Sequence, residues 1–232
     1  MSTATRYQHL RAELDRECLK AGRKPDDVLL LAVSKTVDID QVKIALEAGA
    51  KAFGENRPDE LLRKKAALPD VEFHFIGNIQ SRRIHDIVSA AELIHSVSKE
   101  AHLAKIDAAA AAIGKVQRVM IEVNVSGEES KSGFAPAEVA GVIERAESLP
   151  HVRIEGLMTM APRAQDEVIH TSFAGLRDLE AKLNDQFAAE GAPYRLSGLS
   201  MGMTEDWRRA VPLGTTIVRV GRAIFDDAFE TA

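Results

Sequence analysis

An alternation constrains this chain more than any single motif. Eight short apolar runs recur along it: 28–34 (VLLLAVS), 51–55 (KAFGE), 72–77 (EFHFIG), 92–97 (ELIHSV), 117–125 (QRVMIEVNV), 153–160 (RIEGLMTM), 195–201 (RLSGLSM) and 215–221 (TTIVRVG). Most carry β-branched residues, as parallel strands covered on both faces do. Between them lie segments with helical spacing, the connections that parallel strands require. Eight β-then-α units in 232 residues predict a single α/β domain, a (β/α)8 TIM-type barrel, which typically takes about 250. A doubly wound open sheet is the rival, and eight strands with so little between them favour closure. No linker, low-complexity tract or short-period repeat divides residues 1–232, so one domain is expected.

The helical segments have recognisable ends. Leu10, Leu14 and Cys18 recur four apart and Gly22 follows as a stop, which predicts an extra N-terminal helix. Asp38 with Gln41 has the form of a capping box, Val42, Ala45 and Leu46 give a stripe, and Gly49 is placed to end the helix. Ser98 is placed to cap a helix with the stripe Leu103, Ile106 and Ala110, ended by Gly114. Pro136 opens another that Pro150 closes. The longest helical stretch is 165–190, and Thr204 is placed to cap 205–211.

Composition excludes several functions. A net charge of -5, with acidic and basic residues interspersed, argues against a nucleic-acid surface. The doublets Lys64-Lys65, Arg82-Arg83 and Arg208-Arg209 read as solvated helix faces. No segment approaches the roughly 20 apolar residues of a membrane span, and the start lacks a secretory h-region. The lone Cys18 can form no intramolecular disulfide, which fits a reducing, cytoplasmic location. Seven histidines are scattered without metal-ligand spacing, so no metal site is expected, and His74 reads as a hydrogen-bonded core residue. A monomer is expected, since no apolar surface stands out.

Barrel active sites lie at the C-terminal ends of strands. The first run ends in Ser34 and is followed by Lys35. That lysine either snorkels to solvent or is an amine whose pKa is lowered by burial for Schiff-base chemistry. At the ends of the seventh and eighth runs and just beyond them come Ser200, Gly202, Thr204, Gly221 and Arg222. Barrels often bind phosphate there, and glycines permit close backbone approach. Ordinary caps, turns and a surface arginine satisfy the same spacing. If both functional readings hold, the ligand is an aldehyde or ketone carrying a phosphate: pyridoxal 5′-phosphate (PLP) or a sugar phosphate.

Seven segments resemble one known family: AVSKT (32–36), FGENRPDELLRK (53–64), HFIGNIQSRR (74–83), VNVSGEESKSGF (123–134), GLMTMAP (156–162), LSMGMTEDW (199–207) and VRVGRAIF (218–225). In order and coverage the chain resembles the pyridoxal phosphate homeostasis protein family, single-domain relatives of the alanine racemase barrel. The resemblance implies PLP held as a Schiff base on Lys35. It implies Ser200, Thr204, Gly221 and Arg222 around the phosphate, Arg219 near the pyridine nitrogen and Asn56 near the ring. It implies a carrier or regulator that buffers PLP or delivers it to apoenzymes, without an established catalytic activity. Two departures stand out: GEN continues as Arg57-Pro58-Asp59, and position 222 holds arginine where the family often has threonine. Amino-acid racemisation is one alternative, but a racemase needs a second base, and the only tyrosines, Tyr7 and Tyr194, fall away from the predicted strand ends. A Schiff-base aldolase acting on a sugar phosphate is the other.

Overall fold

In the computed structural model, which describes residues 1–128, 131–162 and 164–229, the apolar runs become eight strands: β1 (Leu29–Val33), β2 (Ala52–Glu55), β3 (Glu72–Phe75), β4 (Leu93–Val97), β5 (Gln117–Glu122), β6 (Val152–Met158), β7 (Gly198–Met203) and β8 (Ile217–Val220). They pair in sequence order, all parallel, and β8 closes on β1 through the register Leu29↔Ile217 to Ala32↔Val220. The expected (β/α)8 barrel is therefore the fold. The strands read as continuous apolar runs because both faces are covered: helices outside, other strands' side chains inside. Leu31, Ala52, Leu93, Met120, Met158 and Ile217 fill the interior. Alternate positions, such as Leu30, Ala32, Phe53 and Phe73, belong to the larger layer under the helices.

The helices are α1 (Thr3–Lys20), α2 (Ile39–Glu47), α3 (Pro58–Ala67), α4 (Ile84–Ala90), α5 (Glu100–Ala112), α6 (Val139–Ala146), α7 (Asp166–Ala189) and the single turns α8 (Trp207–Ala210) and α9 (Arg222–Phe225). The stripe Leu10, Leu14 and Cys18 is buried, and α1 stops just before Gly22 at φ 70°. Gly49 (φ 104°) and Gly114 (φ 64°) follow α2 and α5 in the left-handed conformation that favours glycine.

Four local expectations are corrected. Ser98 does not cap α5, whose N-cap is Lys99 without a side-chain bond. Thr204 does not cap a helix over 205–211; the helix is shorter, begins at Trp207, and has Asp206 as its N-cap. Lys64 is not solvated: it is fully buried. The seventh strand lies further along the chain than 195–201, running from Gly198 to Met203. Gly202, at φ 94°, lets the chain continue past Ser200 while packing against Trp207.

Candidate functional site at the barrel mouth

The C-terminal strand ends surround a cavity of about 800 Å³. Lys35, Asn56, Thr204, Arg219, Gly221 and Arg222 all line it. Six of the seven residues expected at the site thus meet at one place.

Lys35 follows buried Ser34 in a turn beyond the end of β1 and is exposed at the rim. The burial expected of it is not found, because the chain has already left the sheet when it reaches this residue. Asn56 is held by a close approach. A Cβ on Gly77 would lie 2.1 Å from the Asn56 carbonyl oxygen, so glycine is required for the loops after β2 and β3 to touch. Thr204 Oγ1 accepts the Gly221 N–H at 3.4 Å, linking the loops after β7 and β8. A Cβ on Gly221 would come 3.0 Å from the Val33 carbonyl oxygen. Arg222 reaches back to Glu205 Oε1 at 2.6 Å and lies over the Phe229 ring.

Ser200 is the exception. It points into the barrel interior, is fully buried and does not line the cavity. The later course of β7 is the reason: Ser200 sits within the strand rather than in the loop after it. Its hydroxyl accepts from Arg219 Nη1 at 2.6 Å and contacts His95 Nδ1 at 2.8 Å. Arg219 is itself 5% exposed and also donates from Nη2 to the Thr159 carbonyl at 3.0 Å. Burial lowers its pKa to about 10, still well above neutrality. Five guanidinium N–H groups less these two leave three without a hydrogen-bond acceptor among the described residues.

Two features escaped the reading of the sequence. Glu122, the last residue of β5, lines the cavity at 4% exposure, and burial pushes its carboxyl up to about 7. The signal was present: one acid closing the apolar stretch VMIE, by the same logic that singled out Lys35. The second is a buried cluster behind Lys35. Lys64 Nζ donates to Glu55 Oε1 at 2.7 Å and to the Ser34 carbonyl at 2.8 Å. Here the signal was helical spacing, since Lys64 lies three residues after buried Leu61 on the same face of α3. Neither Tyr7, which donates to the Gly49 carbonyl, nor Tyr194, packed edge-on against Phe187, reaches the cavity.

Residues 8–228 match the profile of the family described as alanine racemase, N-terminal domain. The chain is 38% identical over 229 residues to the pyridoxal phosphate homeostasis protein of Pseudomonas aeruginosa, covering 97% of this chain and 96% of that one. It is 35% identical over 230 residues to the pyridoxal phosphate homeostasis protein of Aquifex aeolicus, covering 98% and 99%. The chain belongs to the pyridoxal phosphate homeostasis protein family.

Among solved structures, PipY of Synechococcus elongatus PCC7942, solved with PLP bound, aligns at TM-score 0.83 and 32% identity, covering 97% of this chain and 100% of that one. Alanine racemase of Clostridium difficile 630 shares the fold, at TM-score 0.72 and 14% identity, covering 94% of this chain and 55% of that one. In this member of the pyridoxal phosphate homeostasis protein family the two departures have structural homes. Pro58 opens α3 at a position where its missing N–H costs nothing. Arg222 forms its ion pair with Glu205 on the rim of the cavity. Glu129, Ser130 and Arg163 lie outside the described residues. No helix among the described residues is long and apolar enough to cross a membrane.

Proposed function

We propose that this protein is a single barrel domain that binds PLP in its mouth, holds it as a Schiff base on Lys35, and serves PLP homeostasis by buffering the cofactor or delivering it to PLP-dependent apoenzymes. It does so as a monomer in the cytoplasm. One observation carries the reading: an amine, a hydroxyl-and-glycine cradle and a donor-rich arginine border the same cavity. The residues fit the group. Thr204 Oγ1, the Gly221 backbone and Arg222 suit a phosphate, which takes hydrogen bonds from hydroxyls, backbone N–H groups and guanidinium alike. Arg219 suits the ring nitrogen, and Asn56 suits the ring. Ser200 serves the site through Arg219 rather than by touching phosphate.

Bound PLP supplies a reactive aldehyde and an electron-accepting ring. Arg219 decides how much of the second is used. It donates hydrogen bonds and accepts none, so a nitrogen facing it stays unprotonated and the ring withdraws electrons weakly. Lys35 then anchors its ligand without strong activation for carbanion chemistry. The rim exposure of Lys35 suits loading and release. The PLP-bound relative and the names of the others support the same ligand.

The test is direct. Purified protein given PLP is expected to gain a band near the visible, and borohydride should fix the adduct on the Lys35 peptide by mass spectrometry. Lys35→Ala should lose both. Colourless wild type, or an adduct that persists unchanged in Lys35→Ala, refutes the assignment.

A further inference from the structure

Below Arg219 the barrel interior is not purely apolar. A line of polar side chains runs from the mouth toward the base, where β3 begins. Arg219 Nη1 donates to Ser200 Oγ at 2.6 Å. Ser200 Oγ meets His95 Nδ1 at 2.8 Å, His95 Nε2 meets His74 Nδ1 at 2.9 Å, and His74 Nε2 meets Glu72 Oε1 at 2.9 Å. His74, His95 and Ser200 are essentially inaccessible to solvent. Glu72 emerges at the base, its side chain 40% exposed, in a second cavity shared with Lys65, Glu92 and Arg118.

Each end of this line has a fixed hydrogen-bond sense. Arginine only donates, and an ionised carboxylate only accepts. The hydrogen bond from His74 holds the Glu72 carboxyl below its ordinary pKa, so it is the anion. Burial holds His95 well below its ordinary pKa, so that ring is neutral. At the Glu72 end His74 Nε2–H donates to the carboxylate, and His74 Nδ1 accepts from His95 Nε2–H. His95 Nδ1 then accepts from the Ser200 hydroxyl, whose lone pair takes the Arg219 N–H. Every donor points away from the mouth. The reverse order leaves the buried Ser200 O–H without an acceptor among the described residues, an uncompensated loss.

We infer that Glu72, His74, His95 and Ser200 are positioning residues for Arg219: they form a one-way hydrogen-bond chain that fixes the guanidinium and turns its remaining N–H groups to the mouth. The consequence for the ligand rests on the cofactor reading above; the chain and its hold on Arg219 do not.

The experiment therefore begins on the protein without cofactor. Nitrogen-15 NMR is expected to find hydrogen on Nε2 and none on Nδ1 in both His74 and His95, and the Arg219 guanidinium in slow rotation. Ser200→Ala should broaden the Arg219 signals, and Ser200→Thr, which keeps the hydroxyl, should restore them. Glu72→Ala, at the far end, should shift the His95 ring signals. His95→Gln, which keeps an acceptor and a donor, should perturb Arg219 less than His95→Phe. Hydrogen on His95 Nδ1, or Arg219 signals identical in wild type, Ser200→Ala and His95→Phe, overturns the inference. PLP titration is the separate arm. Ser200→Ala should raise the dissociation constant about three- to tenfold, the loss expected for one hydrogen bond, and Ser200→Thr should recover it. Wild type that fails to bind PLP, with the expected NMR pattern intact, refutes the cofactor reading and leaves the chain standing.

Discussion

Lys64 and Lys65 are neighbours in sequence and opposites in environment. Lys65 is partly exposed beside Glu92, while Lys64 is sealed against Glu55 and the Ser34 carbonyl. Among the described residues Glu55 Oε2 has no hydrogen-bond partner, and Lys64 is the only cation paired with this buried carboxylate. Removing one member of such a pair strands the other charge, which typically costs about 3–5 kcal/mol. Lys64→Met is therefore expected to lose about that much stability in urea unfolding, and adding Glu55→Gln should recover part of it; Lys65→Met should change stability by less than about 1 kcal/mol. A Lys64→Met protein as stable as wild type would show the pair is not coupled. Glu122 gives a pH signature. Burial raises its carboxyl from 4.5 to about 7 in the fold. The folded chain thus keeps a proton that the unfolded chain releases, so this residue's contribution falls as pH rises between those values and levels off above. Glu122→Gln should gain stability relative to wild type on going from about pH 5 to about pH 8, by on the order of 1–3 kcal/mol. A difference between the two proteins that does not vary with pH would mean that Glu122 titrates as an exposed acid. Doublet spacing concealed Lys64, since nothing local separates a lysine that faces the core from one that faces water.

Strands and helices were legible where a local rule sufficed. Period, β-branching and terminal glycines located β1 to β6 and β8, as well as α1, α2 and α5, because those signals act within a few residues. They misplaced β7, where continuation through Gly202 depends on how closely Trp207 and Ala210 approach. They also assigned Thr204 and Ser98 to caps, while Thr204 instead receives a backbone N–H from a different loop. Between β6 and β7 the spacing is set by glycine: a Cβ on Gly156 would fall 1.9 Å from the Gly198 carbonyl oxygen. Both residues are paired across the sheet, so nothing there is a flexible side-chain end that can give way. Gly156→Val must force the two strands apart, and a loss of at least about 3 kcal/mol is expected. Thermal unfolding followed by circular dichroism checks it; a variant melting within a few degrees of wild type would show that the barrel wall can deform there.

At the scale of the molecule, barrel closure is what gathers the site. Arg6 in α1 donates from Nε to the Ile224 carbonyl at 2.7 Å and pairs with Asp227, so the two ends of the chain are bound to each other as β8 meets β1. Lys35, Asn56, Thr204, Gly221 and Arg222 arrive at the mouth from loops up to about 190 residues apart because strand direction sends every C-terminal end to one face. That much follows from the order of elements, and the sequence by itself determined it: the eight units, the face on which chemistry collects, and the candidate amine and phosphate loops. Which side of a strand a residue faces, and what it meets there, was decided only in the tertiary structure. Lys35 stands exposed in a turn, Ser200 turns inward to Arg219, Lys64 enters the core, and Glu72, His74 and His95 align beneath the mouth. The physical reason is the range of the forces involved. Periodicity and turn chemistry act between neighbours in the chain, whereas burial and hydrogen-bond partnership join residues that only closure of the barrel brings within a few ångströms of each other.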